Sequence, residues 1–88
     1  MELAFKESFL KDVKRIKETA VKKKIAAVIS ESQKVSSLLD LKNVKKLEGS
    51  SDYYRIRIGD YRIGVKLQDK TLIFMRCLNR KDIYRYFP

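Results

Sequence analysis

Arginine and tyrosine side chains suited to binding phosphate groups crowd into the second half of this sequence. Arg55, Arg57 and Arg62 lie within a single segment, YYRIRIGDYRIGVKL, at residues 53–67. Guanidinium groups bind phosphates in bidentate geometry, and tyrosine rings stack on unpaired bases. The residues that would extend such a site are Tyr53, Lys66, Arg80, Lys81, Tyr84, Arg85 and Tyr86. The pattern predicts a binding surface for a polyanion, and single-stranded nucleic acid suits it best.

Local strand pairing would bring the arginines of this segment together. The dipeptide Gly-Asp at 59–60 suits a two-residue hairpin turn with glycine in its first central position. If Ile58 pairs with Tyr61, then Arg57 lies directly opposite Arg62. Like charges placed opposite each other destabilise a sheet. The arrangement is therefore more typical of a face that receives an anionic ligand.

The same side chains could also do chemistry on RNA. Cleavage by attack of the 2′-hydroxyl needs a base, a charge clamp for the transition state and an acid for the leaving oxygen. The arginines could provide the clamp. Since the chain has no histidine, the base would be Tyr84 activated by surrounding cations, or a carboxylate such as Asp52 or Glu48. The alternative role for Tyr84 is to pack the tail against the domain.

Charge and composition narrow the classes of partner and site. A net charge of +10 on 88 residues favours nucleic acid, an anionic membrane or an acidic protein. No apolar run approaches the ~20 residues of a membrane span, and the basic face is not on an amphipathic helix. A basic surface that serves only solubility, or that docks an acidic protein, remains the alternative.

Several other kinds of site are excluded or disfavoured. The absence of histidine rules out Ser-His-Asp and Cys-His catalysis, and the three glycines form no phosphate-binding loop. Cys77 is the only cysteine, so we expect a buried hydrophobe rather than a disulfide or zinc ligand. No metal and no cofactor are expected. The N-terminus is charged from its second residue, which argues against a signal peptide and favours the cytoplasm.

Hydrophobic periodicity predicts one α+β domain over residues 1–88. A first strand at 2–5 precedes an antiparallel helix pair, and the pair packs on a small twisted antiparallel sheet that ends in a short helical turn. The apolar residues at helical spacing are Phe9, Val13, Ile16 and Ala20, then Val21, Ile25, Val28 and Ile29. The apolar residues expected to attach the polar connector at 30–52 to the core are Leu38, Leu39, Leu41, Val44 and Leu47.

Alternation assigns the hairpin residues to two faces of the sheet. The side expected to face the helices carries Tyr54, Ile56, Ile58, Tyr61, Ile63 and Val65. The side expected to face away carries Tyr53, Arg55, Arg57, Arg62 and Lys66. A second turn is predicted near 69–70. The face of Arg76 depends on whether that turn has two or three residues, so the alternation leaves it open.

The order of three segments resembles the RelE side of the RelE/ParE toxin superfamily. These segments are KKLEG, then YYRIRIGDYRIGV, then NRKDIYRYFP after an apolar strand. The resemblance implies the toxin of a type II toxin–antitoxin pair. It further implies a metal-independent nuclease that cuts messenger RNA in the ribosomal A site. The implied partners are the ribosome, its messenger RNA and a cognate antitoxin that wraps the toxin in a higher-order complex.

The resemblance also implies roles for individual residues. Arg55 and Arg57 match two basic residues around the scissile phosphate, and Arg62 matches the arginine of the following strand. Arg80 matches the arginine after the last strand. Tyr84 matches the C-terminal tyrosine that orients or deprotonates the 2′-hydroxyl.

Two departures from the family pattern bear on activity. Arg55 and Arg57 stand where the type member has lysines, which keeps the charge and changes the donor geometry. Asn79 stands where many relatives have histidine, and asparagine can donate a hydrogen bond but cannot transfer a proton at neutral pH. The alternatives are thus a ParE-like toxin that inhibits DNA gyrase, and a catalytically weakened binder of RNA or the ribosome.

Overall fold

The computed structural model describes residues 1–88 and has three α-helices beside a five-stranded sheet. Strand β1 (Glu2–Phe5) leads into helices α1 (Glu7–Arg15) and α2 (Thr19–Lys34), which are followed by a 3-10 turn (Leu38–Asp40). The remaining elements are β2 (Val44–Lys46), β3 (Tyr53–Ile58), β4 (Tyr61–Gln68), β5 (Thr71–Asn79) and α3 (Ile83–Tyr86). No helix is both long enough and apolar enough to cross a membrane.

The strand order of the sheet is β1-β5-β4-β3-β2. The predicted hairpin is confirmed, because Ile58 pairs with Tyr61 and Arg57 with Arg62. Gly59 has a φ of 65°, in the left-handed region that favours glycine, so its position in the turn is explained. The α+β class is also confirmed. The sheet differs in detail from the antiparallel expectation, since β1 runs parallel to β5, while α1 and α2 carry the chain from β1 to β2 at the opposite edge.

The hydrophobic core lies between the sheet and the first two helices. Phe9 of α1 and Ile25 of α2 are buried against Phe74 and Ile63 of the sheet. The hairpin faces follow the predicted alternation, with Ile56, Ile58, Ile63 and Val65 all in the core. Three expectations are wrong. Leu39 is 81% exposed because the 3-10 turn points it outward, and Ala20 is exposed because α1 ends at Arg15 and a break separates it from α2. Leu47 does not join the core and lines a surface cleft with Phe87 instead.

A β-bulge in β5 decides the face of Arg76. The second turn has two residues, since Gln68 pairs with Thr71, yet Phe74 pairs with Val65 while Arg76 pairs with Gly64. Met75 is therefore the additional residue, and every side chain after it changes face relative to an unbroken strand. Arg76 consequently lies on the face away from the helices.

Helix α3 folds the C-terminal segment over that same face. Ile83 and Phe87, one turn apart, are both buried. The Phe87 ring rests on Gly64, where an added Cβ would come within 2.7 Å of the ring. Gly64 is thus required for close approach of the C-terminal segment, or tail (residues 83–88). The tail borders the basic residues on this face of the sheet.

Candidate nucleic-acid interface

An arginine cluster, defined by Arg55, Arg57, Arg62 and Arg80, occupies the sheet face away from the helices. Cross-strand pairing sets Arg57 opposite Arg62 and Arg55 opposite Gly64. Arg57 is exposed, whereas Arg55 and Arg62 are half-buried. Arg80 follows β5, and its backbone N–H donates to the Asp60 carbonyl at 2.7 Å, which ties the end of β5 to the hairpin turn.

Arg62 lies at the centre of this cluster. Its Nη1 donates to the carbonyls of Gly59 at 2.7 Å and Tyr61 at 2.9 Å, so the hairpin turn holds the guanidinium in place. Burial lowers the pKa of Arg62, and the charges of Arg55, Arg57 and Arg80 lower it further, while Tyr84 acts in the opposite sense. The structure therefore brings together five of the residues predicted for catalysis.

The cluster has no carboxylate partner. The two ion pairs of the protein, Lys11–Glu7 and Arg76–Asp12, both lie outside it. Within the cluster, Arg55 Nε is buried and has no hydrogen-bond partner in the protein. Because a buried polar group without a partner is costly, a shift of the Arg55 side chain that brings this donor to an acceptor of a ligand would be favourable.

Tyr84 lines a cleft of about 410 Å³ beside the cluster. The ring is 60% exposed, so it is available to a ligand. The other residues lining the cleft are Lys45, Lys46, Leu47, Glu48, Arg55, Phe87 and Pro88. Of the two carboxylates considered as a base, Glu48 lines this cleft with Tyr84, whereas Asp52 does not. A second cleft of about 260 Å³ shares Lys45 and Arg55 with the first and extends to Arg57.

Two residues that line the cleft beside the cluster, Lys45 and Lys46, were missed in the sequence. Both lie on β2, where Lys45 pairs with Arg55 and therefore shares its face. The strand has three residues, too few for its alternation to be distinguished from a polar connector.

Asn79 shapes the turn between β5 and α3. Its side-chain Oδ1 accepts a hydrogen bond from the Lys81 N–H at 3.0 Å, and its carbonyl accepts from Asp82 N–H at 2.8 Å. Asparagine commonly forms such turns. In this structure, then, the Asn79 amide is engaged with the backbone that leads from Arg80 to α3.

The residues predicted to extend RNA binding are spread over different surroundings. Tyr53 packs edge-on against Phe87 at 5.6 Å, with the Lys66 ammonium 5.6 Å from its ring. Tyr86 lies with Arg76 and Arg85, whose guanidinium carbons are 5.9 and 5.7 Å from its ring. Lys81 is exposed in the turn before α3. None of these residues lines either cleft.

No three His, Cys, Asp or Glu side chains come together in an arrangement that could hold a metal ion. Cys77, the single cysteine, is buried in the core as expected. The chemistry available at the surface is therefore that of guanidinium, ammonium, phenol and carboxylate groups.

Comparison with known proteins identifies the family. A family model described as the ParE toxin of the parDE type II toxin–antitoxin system matches residues 3–84. Toxin RelE3 of Methanocaldococcus jannaschii is 46% identical over 89 residues, which cover all of both chains. The chain belongs to the RelE/ParE superfamily of type II toxins. The resemblance noted in the sequence is thereby confirmed, and the chain is RelE-like.

Solved structures of RelE proteins share the fold. The RelB–RelE antitoxin–toxin complex from Methanococcus jannaschii contains a chain 44% identical to this RelE-like toxin, with a TM-score of 0.83 and coverage of 97% and 99% of the two chains. The Escherichia coli RelBE complex matches at 22% identity and a TM-score of 0.69, covering 89% of this chain and 94% of that chain. The second likeness shows the fold alone.

Proposed function

We propose that this RelE-like toxin cleaves messenger RNA on the ribosome, by attack of a 2′-hydroxyl on the adjacent phosphate. The observation that carries the proposal is the arginine cluster without carboxylate partners, with Tyr84 in the cleft beside it. Such a cluster is unfavourable in the free protein and becomes favourable when a phosphate binds. A toxin that acts on ribosomes would work in the cytoplasm.

The arginines would act as the charge clamp. As the 2′-oxygen bonds to phosphorus and the 5′-oxygen leaves, negative charge grows on the phosphate oxygens. Fixed cations that meet this charge stabilise the transition state more than the ground state. Arg62 is the best fixed of the cluster, because two carbonyls already hold one of its nitrogens. Arg55 adds a buried donor that has no other partner.

Tyr84 would orient the 2′-hydroxyl or take its proton. Its exposed ring in the cleft can stack on a base, and its hydroxyl can accept or donate a hydrogen bond. The chain lacks a histidine to protonate the leaving 5′-oxygen, so that proton would come from water, and we expect proton transfer to limit the rate. Lys45, which shares the face of Arg55 and lines the same cleft, would bind a neighbouring phosphate.

Similarity to the RelE chain solved with RelB at 44% identity supports an antitoxin as the regulatory partner. A net charge of +10 and an exposed basic face suit a partner with acidic side chains over that face. We propose that the antitoxin silences the toxin by covering the arginine cluster, in a complex that contains more than one copy of each chain.

The test is primer extension on a reporter messenger RNA after brief induction of the toxin. New 5′ ends within translated codons, absent when translation is blocked, are expected. The matched variant is Asn79→His, which adds an imidazole beside Arg80 and should strengthen the cuts. Growth arrest without any cuts from either chain would contradict the proposal.

Inhibition of DNA gyrase is the second candidate, because the matching family model is that of ParE toxins. A gyrase inhibitor would induce the DNA-damage response and leave messenger RNA intact. The arginine cluster with Tyr84 favours RNA, since gyrase inhibition involves no phosphoryl chemistry by the toxin itself. Measuring both responses in the same induced culture separates the two candidates.

A further inference from the structure

Helix α1 takes the place of a missing strand beside the second half of β5. Strand β1 pairs with β5 only as far as Phe74, so the later residues have no strand on that side. Ser8 Oγ donates to the Met75 carbonyl at 2.6 Å, and an Asp12 carboxylate oxygen accepts from the Cys77 N–H at 2.9 Å. The four residues from Ser8 to Asp12 advance ~6 Å along the helix, close to the ~6.6 Å advance of two strand residues from Met75 to Cys77. Both hydrogen bonds can therefore form at once.

The Asp12 carboxylate binds Arg76 as well. Arg76 Nε donates to it at 2.7 Å and Nη2 at 3.1 Å, in bidentate geometry. Asp12 is 5% exposed, so the pair is shielded from solvent on its acidic side. The hydrogen bond to Asp12 raises the pKa of Arg76, and burial opposes it. Arg76 is consequently held by a carboxylate, a partner that no arginine of the cluster has.

These bonds enclose the β-bulge at Met75. Asp12 holds the two residues that follow it, Arg76 and Cys77, in the shifted register. That register sets Asn79 opposite Tyr61 and allows the Arg80 N–H to reach the Asp60 carbonyl. Loss of the bulge would move every later residue by one position and turn it to the opposite face. The location of Arg80 in the cluster thus depends on the bulge.

Arg76 also supports helix α3. Its guanidinium carbon lies 5.9 Å from the centre of the Tyr86 ring, within reach of a cation–π contact. Tyr86 and Tyr84 belong to the same single turn of helix. Because so short a helix has little stability of its own, contacts on each side of it control where Tyr84 points.

We propose that Asp12 is a positioning residue for the site: through Arg76 and the Cys77 amide it sets the bulge, and so places Arg80 and Tyr84 relative to Arg62. This inference rests on the proposed nuclease function. Asp12 is buried on the far side of β5 and has no access to RNA, so its effect would pass entirely through the residues that it holds.

The test compares Asp12→Asn with Glu7→Gln. Both variants remove one carboxylate charge from α1, but Glu7 is 81% exposed in a surface ion pair with Lys11. For Asp12→Asn we expect single-turnover cleavage on saturating programmed ribosomes to slow about tenfold. The ribosome concentration at half-maximal rate and the folded fraction should stay unchanged. Glu7→Gln should match the parent toxin. A rate loss that only follows the folded fraction would overturn the proposal.

Amide hydrogen exchange provides a readout that does not depend on catalysis. In Asp12→Asn, exchange at residues 77–80 should accelerate at least tenfold, while residues 71–74, paired with β1, keep their protection. Unchanged exchange at 77–80 would overturn the inference. Should the parent toxin fail to cleave RNA, the proposed function falls, and exchange still decides whether Asp12 holds the bulge.

If Asp12→Asn does not fold, Arg76→Lys replaces it. This variant keeps the positive charge but loses the planar fork that meets both carboxylate oxygens and Tyr86. We expect slower cleavage and faster exchange at 77–80, both milder than for Arg76→Met. Full activity with unchanged exchange in Arg76→Lys would also overturn the proposal.

Discussion

Arginines lie on both sides of α3, but only on one side is an arginine charge neutralised by a carboxylate. Arg76 is held by the buried carboxylate of Asp12 through two hydrogen bonds. In the arginine cluster across the helix, Arg57 faces Arg62, and neither forms an ion pair with a carboxylate. On the side of Arg76, called the paired side, the ion pair with Asp12 stabilises the fold. On the side of the arginine cluster, called the unpaired side, the like charges repel one another, and an anionic ligand would relieve that repulsion. A basic residue is thus informative about function only when its partners are known.

The largest expected difference between the two sides is in RNA cleavage, which should depend on the arginines of the cluster. Arg62→Ala should reduce single-turnover cleavage on ribosomes by at least about 100-fold, because a fixed donor to the transition state is lost. The control is Lys22→Ala on the exposed surface of α2, which removes the same charge and should leave the rate unchanged. Comparable losses in both variants would mean that overall charge matters, not the cluster.

On the paired side the corresponding effect is on stability. Arg76→Met should lower the free energy of unfolding by about 3 kcal/mol, because it leaves the Asp12 carboxylate buried without its cation. Lys11→Met breaks the other ion pair of the protein, which is exposed, and should cost no more than about 0.5 kcal/mol. Urea unfolding of the two variants measures the difference. Equal costs would show that burial adds nothing to the Asp12–Arg76 pair.

The tail that separates the two sides can be displaced directly. Gly64→Ala adds a methyl group within 2.7 Å of the Phe87 ring, and relief of that overlap should cost about 2 kcal/mol. Because α3 must move, cleavage should fall as well. Unaltered cleavage in Gly64→Ala would mean that Tyr84 does not need its present position.

The smallest expected effect is a pH dependence of stability caused by Cys77, which is buried in the core beside Asp12. Burial, with the charge of Asp12, raises the pKa of the Cys77 thiol from 9.0 to about 12. As pH rises, the thiol therefore ionises in the unfolded chain at a lower pH than in the folded protein. The contribution of the buried neutral thiol to the free energy of unfolding is complete below pH 9 and is lost as pH rises towards 12. Compared with Cys77→Val, the parent toxin should lose about 1 kcal/mol more stability by about pH 10. Parallel stability curves from urea unfolding would contradict this.

Local signals predicted the hairpin and most of the cluster. The Gly-Asp turn and the alternation around it fix the pairing of Arg57 with Arg62, since a two-residue loop leaves one register. The helix pair and the core faces of β3 and β4 followed from periodicity in the same way. These features depend on residues close together in the chain, where a sequence is most informative.

Features set by distant contacts were missed. The bulge at Met75 depends on α1, more than 60 residues earlier in the chain, so no local pattern near Arg76 reveals it. The strand containing Lys45 is too short to show alternation. One signal was readable: Asp12 lies three residues after Phe9 and four before Ile16, on the apolar side of its helix, where an acidic residue requires a partner.

The most direct test of the unpaired cluster measures stability and cleavage together on Arg57→Gln. Arg57 is exposed and has no carboxylate partner, so its removal should relieve repulsion and leave the free energy of unfolding unchanged or slightly higher, while cleavage on ribosomes falls steeply. That combination would show that the positive charge of Arg57 serves RNA cleavage and does not stabilise the fold. Full cleavage activity, or a loss of stability as large as that of Arg76→Met, would contradict the account.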